Sequence, residues 1–375
     1  MSPQVPFDPS TIVWTLDELL GDRTVSAIMG RAVRDETVTV TTELYHFGSP
    51  SSGGLVTVQG EWLDGGTWSA FVKVLQHLRH WALLPQIPPH VAKEMLEFYP
   101  WREELELWRP ALVERLPEGM RVPLLYDAVD LGDERIAVWM EKVDLDPAPW
   151  SLATYARAAR LIGAHNARMC DEEVVAACPR PNDYALLMWS TNGLMAQLGN
   201  YDDTELWNHP ILAEYADVRP RVLDAHGLAE DALRRFADLQ HGMPHGDCSP
   251  QNLLVPRDGD ELVMIDISFQ SPAPPGTDLA QLVVGLVHAG QVPAGWLPEI
   301  EATVLAAYLE GFLSTGRDLA ESDLLTAYAG TLLIRSAFSS IPFDWVDDPA
   351  RAEELRERLR LTRFILDTAD RHLAS

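Results

Sequence analysis

Polar and apolar residues alternate along three early stretches of the chain, Val38 to Phe47, Leu55 to Trp62 and Trp68 to Leu75, and each reads as a half-buried β-strand. A run of small residues, Gly48-Ser49-Pro50-Ser51-Ser52-Gly53-Gly54, separates the first two. After Pro100 the period changes: Trp101, Leu105, Trp108 and Leu112 recur at helical spacing, which predicts an amphipathic helix. A further strand is predicted from Arg135, apolar up to Met140 and polar from Glu141. Helical patterns then dominate, as in Leu152 to Met169 and in Ile300 to Leu313, the latter stopping before Gly316. Between these helices, Leu253-Leu254-Val255 and Glu261 to Ile265 flank Pro256-Arg257-Asp258-Gly259-Asp260. This reads as a β-hairpin with Gly259 at its tip.

The pattern of early strands followed by helices predicts an α+β chain of two lobes, the first a small, mostly antiparallel sheet with one key helix and the second larger and mainly helical. A length of 375 residues exceeds what one core usually supports, so two units sharing a cleft are expected. The boundary is placed at Lys142, giving lobes of 1–142 and 143–375. Pro3, Pro6 and Pro9 suggest a short extended lead-in.

Candidate chemistry concentrates around the hairpin. Asn252 and Asp266 each lie seven residues from Gly259, so antiparallel pairing is expected to return them to one end of the ribbon, roughly 5 Å apart. An amide oxygen and a carboxylate form a hard-oxygen pair suited to Mg²⁺ carrying phosphates. Asp247, just before the ribbon in His245-Gly246-Asp247-Cys248-Ser249-Pro250-Gln251-Asn252, is placed to accept the proton of an attacking hydroxyl. The bland reading makes Asp247 and Asp266 turn residues of a solvated hairpin.

Upstream, Lys73 stands in the third strand-like run, where it could reach the phosphates of a nucleotide approached by the small-residue loop. Its expected partner is Glu104, on the edge of the apolar face of the following helix, with Glu103 and Glu106 pointing more toward solvent.

Lys73 on a third strand, Glu104 on the next helix, then His245-Gly246-Asp247 with Asn252 and the returning Asp266 resemble the aminoglycoside phosphotransferase and choline kinase group of the protein-kinase-like superfamily. The likeness spans about residues 38 to 330 and is specific at 245 to 266. It implies a two-lobed protein-kinase-like fold and transfer of the γ-phosphoryl group of ATP, or GTP, to the hydroxyl of a small molecule. Asp247 would be the catalytic base, Asn252 and Asp266 the Mg²⁺ ligands, and Lys73 with Glu104 the ion pair that orients the phosphates. Backbone groups near Glu141 and Val143 would hold adenine. Asp278-Leu279-Ala280 fits the motif that opens a helix after the metal-binding aspartate, with Asp278 as a brace for the catalytic loop. Two departures, Gly246 for the arginine of eukaryotic protein kinases and Ile267-Ser268 for their Phe-Gly, argue against a protein kinase. A non-catalytic kinase-fold binding module, a sugar or amino-alcohol kinase of the same fold, and a metal-dependent hydrolase are the alternative readings.

With 29 basic against 56 acidic residues, a net charge of −27, the chain repels nucleic acid and anionic membranes. The acidity either attracts a cationic acceptor or simply keeps the protein soluble. Three cysteines, Cys170, Cys178 and Cys248, have no metal-type spacing and point to reduced thiols. No apolar run is long enough to span a bilayer and no signal segment is seen, so a cytoplasmic protein is expected. Oligomeric state is left open. An acceptor pocket is expected around Tyr184 to Tyr201, the loop after Asp266 and the helices after Glu301. Trp189, Trp207 and Trp345 are candidates to line it, and Asp202, Asp203, Asp344, Asp347 and Asp348 are candidates to bind ammonium groups or to be solvated loop edges.

Overall fold

The structure is a computed structural model that describes residues 13–43, 49–188 and 199–373. Pro3, Pro6, Pro9, Phe47, Gly48 and Trp189 lie outside the described residues. The chain divides into two compact units that interleave in sequence. One comprises 1–109, 122–145 and 256–258, and the other 110–121, 146–255 and 259–375.

The first unit is built on five antiparallel strands in the order β1-β2-β3-β6-β5: β1 Val33–Thr42, β2 Ser52–Trp62, β3 Thr67–Gln76, β5 Leu125–Gly132 and β6 Arg135–Glu141. Alternation along β3 sends Trp68, Ala70, Val72 and Val74 to one face. There they pack with Val56, Val58, Val129 and Trp139 under the short N-terminal helices Leu16–Leu20 and Val25–Met29. Trp139 Nε1 donates to the carbonyl of Leu19 at 3.2 Å. The other face carries Phe71 and Leu75 with Ile136, Val138 and Met140, covered by Trp101, Leu105 and Trp108. The sheet is therefore buried on both sides, and Lys73 lies on the second face between Phe71 and Leu75.

Three expectations are corrected in this unit. The first strand, expected over Val38 to Phe47, starts at Val33 and ends at Thr42. The α-helix predicted over 101–112 is a 3₁₀ helix, Glu103–Trp108, and a separate short α-helix, Pro110–Val113. Pro110 cannot donate the amide that would continue the turn. Leu112 then belongs to the second unit. The small-residue run is partly strand, because β2 begins at Ser52, and the carbonyl of Gly53 accepts from Trp14 Nε1 at 3.0 Å.

The second unit is mainly helical around a three-stranded sheet in the order β4-β8-β7, with β4 Met120–Arg121, β7 Leu253–Leu254 and β8 Leu262–Met264. β7 and β8 form the expected hairpin, while β4 adds parallel to β8 from far away in sequence. The helices Leu152–Arg168 and Leu297–Leu313 cross with their backbones in contact. A Cβ on Gly163 would land on the carbonyl oxygen of Tyr308, and one on Gly311 on that of Arg160. Only glycine permits this approach. Among the described residues, no helix is long and apolar enough to cross a membrane.

Candidate active site

In the second unit the loop from His245 to Asn252 is fixed almost entirely through its backbone. Asp278, 2% exposed and at the head of the helix Leu279–His288, accepts the amides of His245 and Gly246, each at 2.9 Å. One carboxylate oxygen also accepts from Asn166 Nδ2 at 3.0 Å, and that amide in turn donates to Tyr308 Oη at 3.1 Å. The close helix crossing thus delivers Asn166 and Tyr308 to the underside of the loop. Asp278 is a bracing group, as the sequence resemblance implied.

Gly246 has φ +87°, and a Cβ there would meet the Phe269 carbonyl oxygen at 2.5 Å. That contact is the local reason that no side chain stands before Asp247. The His245 ring is buried, with Nε2 2.8 Å from the carbonyl of Ile265 and Nδ1 accepting from the amide of Asp247 at 3.2 Å. It joins the loop to the end of β8.

Asn252 Nδ2 donates to the carbonyl of Asp247 at 2.7 Å, which orients the side-chain amide and turns Oδ1 away from that bond. The hairpin register differs from the expected one. Leu253 faces Met264, and the amide of Ile265 donates to the carbonyl of Asn252 at 3.0 Å, so Ile265 and not Asp266 lies opposite Asn252. Asp266 is one residue beyond, at φ +57°, a left-handed conformation that aspartate tolerates better than most residues. The left-handed turn breaks strand alternation at that residue. Its Oδ1 accepts from Ser268 Oγ at 2.9 Å.

A residue that sequence reasoning missed completes this group. Arg335 reaches Asp247 Oδ1 with Nη2 at 2.5 Å and the carbonyl of Gly246 with Nη1 at 2.7 Å. Its only sequence signal is a lone charge in the apolar run Leu332-Leu333-Ile334-Arg335-Ser336-Ala337-Phe338. Cys248, beside Asp247, is fully buried, and burial first, then Asp278 and Asp247, pushes its thiol well above the usual range. That suits a packed thiol, not a nucleophile.

In the first unit Lys73 Nζ lies 2.5 Å from Glu104 Oε2, with the two side chains 12% and 5% exposed. The residue between Trp101 and Trp108 is thus the one paired, although the helix around it is 3₁₀. At the end of β6 the amide of Glu141 donates to the carbonyl of Leu124 at 2.8 Å, and the Glu141 carboxylate accepts the Leu124 amide at 3.1 Å. The Glu141 amide is therefore committed within the sheet. Val143 follows, half-buried, just past the strand.

The remaining pocket candidates fall in several environments. Trp207 is buried against Tyr201 and Phe343. Trp345 has the guanidinium of Arg351 over its ring at 4.4 Å. Asp203 and Asp348 accept backbone amides of their own turns, Asp347 is within 4.0 Å of His209, and Asp202 and Asp344 are exposed. All three cysteines are free thiols.

No protein-family model and no curated protein matches the sequence. Solved structures do match the fold. An aminoglycoside phosphotransferase from Alicyclobacillus acidocaldarius superposes with a TM-score of 0.55 at 15% identity, covering 95% of this chain and 99% of its own. A spectinomycin phosphotransferase, solved with ADP and spectinomycin, gives 0.52 at 12% identity, covering 91% and 93%. An amicoumacin kinase, solved with AMP-PNP, Ca²⁺ and Ami, gives 0.50 at 14%, covering 91% of each chain. The resemblance read from residues 245 to 266 and the likeness of whole chains agree: this protein has the kinase-like fold of the aminoglycoside phosphotransferases.

Proposed function

We propose that the protein is a small-molecule kinase that transfers the γ-phosphoryl group of ATP, or GTP, to the hydroxyl of an acceptor. The observation that carries this reading is the braced loop. Asp278 holds two consecutive amides, Asn252 holds the Asp247 carbonyl, and the Asp247 carboxylate, about a quarter exposed, is the acidic group the loop presents.

In this reading the acceptor oxygen bonds to the γ-phosphorus, the bond to the leaving phosphate oxygen breaks, and Asp247 receives the hydroxyl proton. Lys73, fixed by Glu104, holds the nucleotide phosphates. The adenine contacts fall to the Glu141 carbonyl and the Val143 backbone, since the Glu141 amide is taken. A divalent cation fits the second unit by donor chemistry: Asn252 Oδ1, whose amide nitrogen is already bonded, and the Asp266 carboxylate would hold Mg²⁺. Bound there, the metal supplies neutralisation of phosphate charge. The acceptor is a hydroxylated small molecule, and the spectinomycin bound by one neighbouring structure goes first in a panel that also includes aminoglycosides, neutral sugars and amino alcohols.

The test is nucleotide turnover across that panel, with Asp247→Asn beside the parent chain. The expected outcome is loss of turnover by at least roughly 100-fold with Mg²⁺-dependent nucleotide binding largely intact, because the base acts on the acceptor. Near-parental turnover in that variant would remove the mechanism.

A further inference from the structure

Asp247 does not stand alone in its loop. Arg335 projects from a π-helical turn, Leu333–Ala337, that continues the helix Glu321–Leu332. One extra residue in a turn swings the side chains that follow by about 100° relative to an uninterrupted α-helix, and such turns recur at functional sites. The guanidinium, on a side chain that is 11% exposed, bonds to neighbouring parts of the loop, to Asp247 Oδ1 and to the Gly246 carbonyl just before it. A carboxylate tied to the same rigid fork as its own preceding peptide has little freedom to turn about its side-chain dihedrals.

Arg335 and Gly246 line a small cavity together with Asp278, Thr277 and Thr331. The hydroxyls of Thr277 and Thr331 are buried and lack a partner among the described residues. Ala185, Leu186, Pro244 and Ala273 also line that cavity.

We propose that Arg335 is a positioning residue for Asp247: by binding Oδ1 it leaves Oδ2 as the oxygen that receives the acceptor proton and fixes that oxygen's direction. This assignment rests on the kinase reading above. It predicts that Arg335 acts on the chemical step through Asp247 alone and contributes nothing to nucleotide affinity.

The experiment is a double-mutant cycle with Arg335→Met and Asp247→Asn. Turnover is measured with the fastest acceptor of the panel, or as nucleotide hydrolysis if no acceptor exceeds water, and thermal melting verifies folding. Arg335→Met is expected to lower kcat by roughly 10- to 100-fold with the nucleotide KM within about twofold, and to add no further loss in the Asp247→Asn background. In Arg335→Ala, added guanidinium ion is expected to restore part of kcat, and only while Asp247 is present. Losses that multiply in the double variant, or a kcat of Arg335→Met within about twofold of the parent, would overturn the assignment while leaving the kinase reading intact. If Arg335→Met does not fold, Arg335→Lys carries the test. It keeps the charge and loses the fork, and parental kcat in it overturns the assignment. No Mg²⁺-dependent turnover by the parent chain with any acceptor or water removes the kinase reading, and this assignment with it.

Discussion

Lys73 and Glu104 show what a single buried pair demands of its surroundings. On the second sheet face, among Phe71, Leu75 and Trp101, neither charge has much water to fall back on, so each depends on the other. Glu104→Ala is expected to lower the stability of the first unit by about 3 kcal/mol, read as a reduced urea midpoint, and to raise the nucleotide KM. The midpoint would stay put if Lys73 found another anion. His241 offers a pH-dependent counterpart. It lies 3.6 Å from Asp183, both are nearly buried, and Asp183 raises the histidine pKa above its ordinary 6.5. A folded-state pKa above the unfolded one stabilises the protein fully below about pH 6.5, and that stabilisation fades as pH rises through the folded value. Melting of His241→Gln should therefore fall further below the parent at pH 6 than at pH 8.5. Equal deficits at the two pH values would mean that the ion pair contributes nothing.

At the scale of elements, the crossing of Leu152–Arg168 with Leu297–Leu313 does two things at once. It buries a large apolar surface, and it sets Asn166 and Tyr308 where Asp278 can use them. Gly311→Ala forces the helices apart and is expected to cost at least about 2 kcal/mol, with a loss of turnover from a loosened loop. Turnover retained in a folded but destabilised variant would show that the crossing and the loop are independent. The hairpin carries a similar lesson. Its existence and its tip at Gly259 were legible in alternation and turn chemistry, but its register was not. A count from the tip assumes a symmetric turn, and a shift of one residue is resolved only by the bonds the strands make with each other. β4 illustrates the same limit: a two-residue strand has no periodicity to read, and β8 alone gives it a place.

For the whole molecule, a net charge of −27 means that compaction works against self-repulsion. Raising NaCl from about 10 to 150 mM shortens the Debye length to about 8 Å and is expected to raise the melting temperature by roughly 2 °C. A fall on adding salt would indicate instead that the surface ion pairs, such as Arg363 with Asp217 and Arg221 with Asp370, outweigh the repulsion. The two units divide the expected chemistry between them. Lys73 and Glu104 stand on the sheet of one, and Asp247, Asn252, Asp266 and Arg335 on the loops and helices of the other.

What the sequence by itself determined about this protein is whatever neighbours in the chain can settle. β2 and β3 were readable from alternation and β6 from its apolar run, whereas β1 starts five residues before the expected strand and β5 was not read. The order His245 to Asn252 to Asp266 was readable because the chemistry of one loop and one hairpin is written within a short segment. Asp278 was placed by the family resemblance of Asp278-Leu279-Ala280. The tertiary structure alone decided what depends on partners distant in sequence: that Glu104 is buried in a 3₁₀ turn, that Gly246 faces the Phe269 carbonyl, and that Arg335, 88 residues from Asp247, closes on its carboxylate. Such contacts leave no period and no local composition behind, since the packing that brings the partners together selects them by shape and charge across space.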